Sequence, residues 1–261
     1  RKEIFSNSTT SIRPFGLTSI HSVHDIAAPI WWIYSWVFNA IKVQMVSLLA
    51  ARQLTVSTSI IIAALYLQIF TNGAFFSNII DVYPLIPGNV PFLLSLTIFF
   101  CCINVLLLSL VCFKHTVKPV LIVIIIISSA TAYFMDSYNV IIDDSMIDNV
   151  MKTDFAESMD LASIKLVVYL FMLGVFPSLL IFRSRIVDFG IKKSMFSRVR
   201  LIAMALILIT GNLGLFGNYY ASFFREHKPL RFYANPSYTV YSTAKYLGSF
   251  FKDQSVTLKS I

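Results

Sequence analysis

Apolar residues gather into long uninterrupted runs, and the polar and charged residues fall into the stretches between them. Five runs, Thr55 to Phe76, Phe92 to Phe113, Pro119 to Met135, Leu166 to Phe182 and Leu201 to Phe216, contain no Lys, Arg, Asp or Glu. A hydrocarbon core roughly 30 Å thick is crossed by about 20 helical residues. Lipid offers backbone groups no hydrogen bonds, so a spanning segment is a helix or a strand of a closed barrel. The runs show none of the period-2 alternation of barrel strands. The pattern predicts five transmembrane helices in an all-α membrane protein.

The connecting segments predict orientation, because Lys and Arg near span ends are retained on the cytoplasmic side. Lys114, His115 and Lys118 separate the second and third runs; Arg183, Arg185, Lys192, Lys193, Arg198 and Arg200 separate the fourth and fifth. The first connection, Asp81 to Pro91, has no basic residue, and the one after the third run sets Asp136, Asp143, Asp144, Asp148, Asp154, Glu157 and Asp160 against Lys152 and, beside the fourth run, Lys165. The amino end is then cytoplasmic and the carboxyl end external. Residues 45–217 form the five-helix domain, and 218–261 carry an interfacial helix and the start of a linker. Residues 1–44 are an extension with two open readings. Pro29 to Ile41 is too short to span but holds Trp31, Trp32 and Trp36, which suit a membrane interface; alternatively Met45 is the natural start and what precedes it is extraneous.

Composition agrees, with 57% hydrophobic and 13% charged residues, a balance foreign to a soluble domain. The net charge of +8 does not point to nucleic acid, since the cations cluster between apolar runs. Cys101, Cys102 and Cys112 lie inside one run without metal-ligand spacing and read as packing thiols. His227 has no second ligand at helical spacing and is rejected as a zinc ligand.

Two places hold candidate chemistry. Asp143 or Asp144 is suited to cap an external helix over residues 143–161. Asn149, Thr153 and Glu157 recur every fourth residue there, which places them on one stripe. Ile147, Val150, Met151 and Phe155 fall on the neighbouring face. An ordinary solvated helix face produces the same spacing. After the fifth run, Arg225, His227, Lys228 and Arg231 form a basic cluster. It would either meet anionic lipid phosphates or anchor the helix end by snorkelling.

Two blocks carry a resemblance. One is Tyr133-Phe134-Met135-Asp136-Ser137-Tyr138 with Ile142-Asp143, Met146, Asn149, Thr153-Asp154 and Glu157; the other is Tyr220 to Arg225, His227 to Arg231, Tyr233, Asn235-Pro236 and Tyr241-Ser242. With Lys118-Pro119 and the five-span layout, the chain from Leu54 to Tyr246 resembles the bacterial phosphoethanolamine transferases that modify lipid A, including the mobile colistin-resistance enzymes. The resemblance implies five spans with periplasmic interfacial helices in a Gram-negative inner membrane. It implies phosphatidylethanolamine as donor, lipid A as acceptor, and Asn149, Thr153 and Glu157 in the donor-headgroup pocket. Arg225, Lys228 and Arg231 are possible phosphate contacts. The family's soluble α/β catalytic domain, with its nucleophilic threonine, zinc ligands and disulfides, would follow Ile261. No catalytic residue and no metal ligand is therefore expected in this chain, zinc belongs to the absent domain, and a monomer is expected. Asn139 stands where the family usually has Gly, and Asn is the residue that best replaces Gly at positive φ. The rivals are the anchor of a different soluble transferase or sulfatase relative, and a small transporter or channel subunit; the lack of ionisable residues inside the runs counts against the latter.

Overall fold

The computed structural model describes residues 54–154, 163–187 and 190–253. The amino-terminal extension and Glu157 lie outside them, as does the stretch 155–161 of the expected external helix.

The first apolar run becomes two helices. Helix α1, Val56–Phe70, starts at Thr55, whose hydroxyl accepts from Thr58 N–H. It ends where Thr71 Oγ1 and Asn72 Nδ2 both donate to the Leu67 carbonyl, at 2.8 and 2.9 Å. Side chains of this kind compete with the helical ladder for backbone groups. Helix α2, Gly73–Val82, leaves at a 57° bend. The Asp136 carboxylate accepts from Ala74 N–H at 2.6 Å, at the positive end of α2. A Cβ on Gly73 would sit 2.9 Å from the same carboxylate, so the close approach needs glycine.

Helix α3, Val90–Val111, has Pro91 in its first turn, where a missing N–H costs nothing. Helix α4, Val117–Tyr138, is closed by Asn139 at φ 51°, the left-handed conformation expected there. Helix α5, Asp144–Lys152, is short and external to the spans. Helix α6, Ile164–Arg183, widens to a π-helix over Leu170–Val175. Pro177 has no N–H for the Leu173 carbonyl. That carbonyl instead accepts from the Tyr66 hydroxyl of α1 at 2.8 Å, so a tertiary bond replaces the missing helical one. Helices α7, Ile191–Leu215, and α8, Gly217–Glu226, lead to a 3-10 turn, Lys228–Tyr233, and helix α9, Ser237–Asp253.

Four of these helices, α3, α4, α6 and α7, are long and apolar enough to cross a membrane, and α1 with α2 makes a fifth if the bent pair is one span. Among the described residues the only β pairing is the isolated Leu54–Ile186 bridge. The protein is an all-α membrane protein.

Helix α3 packs against α1, α7 and α9. Its first half, Phe92, Leu96, Phe99 and Phe100, is enclosed by Phe75 and Ile79 of α2, Tyr220 and Phe223 of α8, and Leu230 and Tyr233 of the 3-10 turn. The two ends of the bundle differ in charge. At one, Leu54 exchanges backbone bonds with Arg185 and Val187, Lys118 Nζ donates to the Phe182 carbonyl at 3.0 Å, and Arg198 lies 4.2 Å over the Phe113 ring while donating to the Cys112 carbonyl. This end collects the basic connections. At the other stand α2, α5, α8 and α9. Along α7 the apolar side chains stay largely exposed, Ile207 at 69% and Leu215 at 82%, as suits a helix that faces lipid.

Candidate functional site

Helix α5 is built by local rules. Asp143 accepts from Met146 N–H at 2.8 Å, a side-chain N-cap, and Asp144 follows in the first turn, where a negative charge suits the helix dipole. Lys152 stands in the last turn and pairs with Asp148 one turn back. This hydrogen bond raises the lysine above its ordinary pKa.

The helix ends at Lys152, short of the expected Leu161. Thr153 is extended, with ψ 129°, and its hydroxyl donates to the Asn149 carbonyl at 2.8 Å. Thr153 therefore closes the helix instead of continuing its face. Asn149 is exposed and Thr153 half-buried, one turn apart at the same end of α5. Glu157 lies outside the described residues, which resume at Ser163. Ser163 Oγ bonds the Tyr133 hydroxyl at 2.6 Å and caps α6 by accepting from Leu166 N–H. On the neighbouring face Ile147 is half-buried, whereas Val150 and Met151 are 60% and 70% exposed.

Two contacts hold α5 on α9. Lys245 Nζ donates to Asp144 at 2.8 Å, and the Tyr246 hydroxyl donates to Asp148 at 3.4 Å. The lysine hydrogen bond holds the Asp144 carboxyl below the usual carboxylate range, and the same bond raises Lys245. These groups are exposed, so the pair contributes position more than stability.

The basic cluster does not converge on one point. Arg225 pairs with Glu226 at 2.8 Å while Ser222 Oγ donates to the other Glu226 oxygen at 2.9 Å, and these bonds lower the Glu226 pKa. Arg231 stacks over Phe232 at 5.2 Å, Lys228 is exposed, and the His227 ring meets Tyr83 edge-on at 5.6 Å. Among the described residues no three of His, Cys, Asp and Glu come together as a metal site.

Sequence reasoning missed the node that fastens the α1–α2 break. Asn72 Nδ2 donates to the Asn235 carbonyl at 2.7 Å, Asn235 N–H returns a bond to Asn72 Oδ1 at 2.8 Å, and Asn235 Nδ2 donates to the carbonyls of Thr71 and Ser128 at 3.1 and 2.8 Å. Asn235 precedes a cis proline, Pro236. Asp136, too, does more than its place in a motif suggested. Besides Ala74 N–H, its carboxylate accepts from the Tyr169 hydroxyl of α6, which joins three helices. The polar residues Asn72 and Asn235 inside apolar surroundings were the available signal.

Residues 100–250 match the family model for phosphoethanolamine transferase EptA/EptB, more than half of the 261 residues. Phosphatidylethanolamine transferase Mcr-2 of Escherichia coli is 36% identical over 70% of this chain and 34% of its own length. For Mcr-1 of the same organism the figures are 34%, 79% and 39%. The integral membrane protein lipooligosaccharide phosphoethanolamine transferase A (EptA) from Neisseria meningitidis has a similar structure, with TM-score 0.73, 25% identity, and coverage of 77% of this chain and 38% of that one. The chain thus spans between a third and two fifths of the length of these relatives. With five apolar spans predicted, an all-helical bundle and this match, the chain belongs to the EptA/EptB phosphoethanolamine transferase family and corresponds to its membrane domain.

Proposed function

We propose that this chain forms the donor-binding membrane part of an enzyme that moves phosphoethanolamine from phosphatidylethanolamine to a phosphate of lipid A. The observation that carries the reading is the placement of α5. Asn149 and Thr153 sit at its end, fastened to α9, on the side of the bundle opposite the basic connections. In this reading the basic end is cytoplasmic, as the retention of Lys and Arg supports, and the α5 end lies at the outer headgroup level of the Gram-negative inner membrane that the family resemblance implies.

Phosphatidylethanolamine presents an ammonium and a phosphodiester there. Glu157 pairs the ammonium; Asn149 Nδ2 and the Thr153 hydroxyl, once turned from its own helix carbonyl, donate to phosphate oxygens. Arg225, Lys228 and Arg231 attract the anionic acceptor near the same surface, Lys228 as the exposed cation and Arg225 by exchanging Glu226 for a phosphate. The zinc that the family resemblance implies finds no ligand set among the described residues, and no residue of this chain is assigned to it or to the nucleophile. The expected assembly is a monomer. A phosphoethanolamine on lipid A offsets negative charge with an ammonium, so polycationic antibiotics such as colistin bind the surface less strongly.

The test is lipid A mass spectrometry in cells expressing the full-length protein with Asn149→Ala, Thr153→Val or Glu157→Gln. Modification should drop at least tenfold for Glu157→Gln, with membrane insertion unchanged. Wild-type modification by all three variants removes α5 from the reaction.

A further inference from the structure

Hydroxyls on these helices commonly satisfy themselves by donating to the carbonyl one turn back. Ser59, Thr97, Thr210 and Thr243 all do so, at 2.8 to 3.0 Å. Two hydroxyls of α9 do not. Thr239 Oγ1 and Ser242 Oγ are enclosed, their residues 5% and 0% exposed, and neither finds a hydrogen-bond partner among the described residues.

Thr239 and Ser242 share one face of α9. Asn235 lies in the turn that leads into the helix, where Tyr238 N–H donates to the Ala234 carbonyl at 2.8 Å. Asn235 Nδ2 is committed to two carbonyls, which fixes the amide orientation and leaves Oδ1 aimed at nothing polar among the described residues. The next position on the face is Tyr246, which bonds Asp148 of α5.

Other elements supply matching groups. Gln68 Oε1 of α1 accepts from Asn104 Nδ2 at 3.3 Å, so the orphaned group is the donor Nε2. Ser237 Oγ joins this pair to the start of α9 by donating to Asn104 Oδ1 at 3.2 Å. Ser128 of α4, whose carbonyl receives Asn235, has its own hydroxyl orphaned. Ser128 lies ~16 Å along α4 from Val117 at 1.5 Å per residue, about half the thickness of a hydrocarbon core. Leaving a buried amide donor, an amide acceptor and three hydroxyls all dry would cost as much as the net stability of many domains.

We propose that this seam, from Gln68 and Ser128 along Asn235, Thr239 and Ser242 toward Tyr246, is a site for ordered water molecules inside the membrane domain. The chemistry selects water over an ion. The orphaned groups are neutral, mix donors with acceptors, and include no carboxylate, ammonium or guanidinium. The seam is independent of the donor reading, since none of its residues belongs to the proposed headgroup pocket.

A cryo-electron microscopy map of the protein at its natural full length in lipid nanodiscs, at a resolution that shows solvent, should have separate density within hydrogen-bond reach of Gln68 Nε2, Asn235 Oδ1 and Thr239 Oγ1. A dry seam overturns the proposal. Thr239→Val supplies a readout of opposite sign for the two cases, because valine keeps the shape and removes the hydroxyl. If the hydroxyl were buried and unpaired, its loss would raise Tm; if it holds water, valine strands that water and Tm falls. A fall is expected for Thr239→Val and for Ser242→Ala, with Thr243→Val, whose hydroxyl is already satisfied by its own helix, as the reference. A rise or no change relative to that reference overturns the proposal. Should the variants fail to fold, the wild-type map alone decides.

Discussion

Replacing Asn72 by alanine removes more structure than any change in the candidate donor site. The side chain makes three hydrogen bonds, to the Leu67 carbonyl, to the Asn235 carbonyl and from Asn235 N–H, and both asparagines are 2% exposed or less. A hydrogen bond contributes about 1 kcal/mol net, and a buried group left without a partner costs a further 1–3 kcal/mol. Asn72→Ala orphans the Asn235 N–H, so the expected loss is about 3–5 kcal/mol. For a domain of this size that corresponds to a Tm lowered by roughly 10 °C. Thermal unfolding of the purified protein in one detergent measures it. Asn89→Ala is the reference, since Asn89 makes one exposed bond to the Pro84 carbonyl. The double variant Asn72→Ala with Asn235→Ala should lose at least 1 kcal/mol less than the sum of the two single losses, because the two side chains share partners. An Asn72→Ala protein within about 1 kcal/mol of the Asn89→Ala reference would refute the view that this node holds the α1–α2 break.

Two further changes test other joints. The tie of α5 to α9 should be constant through neutral pH and fail at both extremes: Asp144 has a lowered pKa, so its contribution is complete above the ordinary carboxylate value of about 3.9 and is lost as pH falls through the folded value. Lys245 is raised, so its contribution is complete below the ordinary lysine value of about 10.4 and is lost as pH rises through the folded value. Distances between spin labels on α5 and α9 report the separation; parting of the helices near pH 7, or a Lys245→Met protein that behaves like wild type at both extremes, contradicts the assignment. In the spans, a Cβ on Gly174 would meet Ser129 Oγ at 2.5 Å but Ser129 Cβ only at 3.5 Å. Gly174→Ala should therefore cost about 1–3 kcal/mol in thermal unfolding, and adding Ser129→Ala should recover most of it; a Gly174→Ala protein of wild-type stability would mean that α4 and α6 pack less closely.

The spans were legible because lipid permits few solutions. A long charge-free run must satisfy its backbone internally, and α3, α4, α6 and α7 follow from that requirement alone. What happens inside a run follows from other causes. Thr71-Asn72-Gly73 is a short polar interruption in the first run, too small to divide it on hydrophobicity. It becomes a 57° bend because Asn72 finds Asn235 and Gly73 leaves room for the Asp136 carboxylate, which accepts from Ala74 N–H. Both partners come from distant parts of the chain, and no local pattern announces them. Pro177 does announce a defect in α6, but the remedy, the Tyr66 hydroxyl on the Leu173 carbonyl, is again a tertiary contact.

The same division of causes runs through the candidate site. The start of α5 was readable, since Asp143 is a local cap and its bond to Met146 N–H needs nothing from elsewhere. The end was not, because composition favours continuing the helix, whereas Thr153 turns extended and spends its hydroxyl on Asn149. Periodicity extrapolated past Lys152 placed Thr153 on a continuing helix face, whereas the residue is extended and closes the helix. Asn149 and Thr153 are brought together by a helix terminus, and Glu157 lies outside the described residues. A binding pocket made this way depends on where two anchors lie, Lys245 on Asp144 at one side and Tyr133 on Ser163 at the other. Residues at these anchors touch no headgroup in the proposed arrangement. In that arrangement the donor-site residues depend on both anchors, and spacing along the chain reveals neither, because each joins residues far apart in sequence.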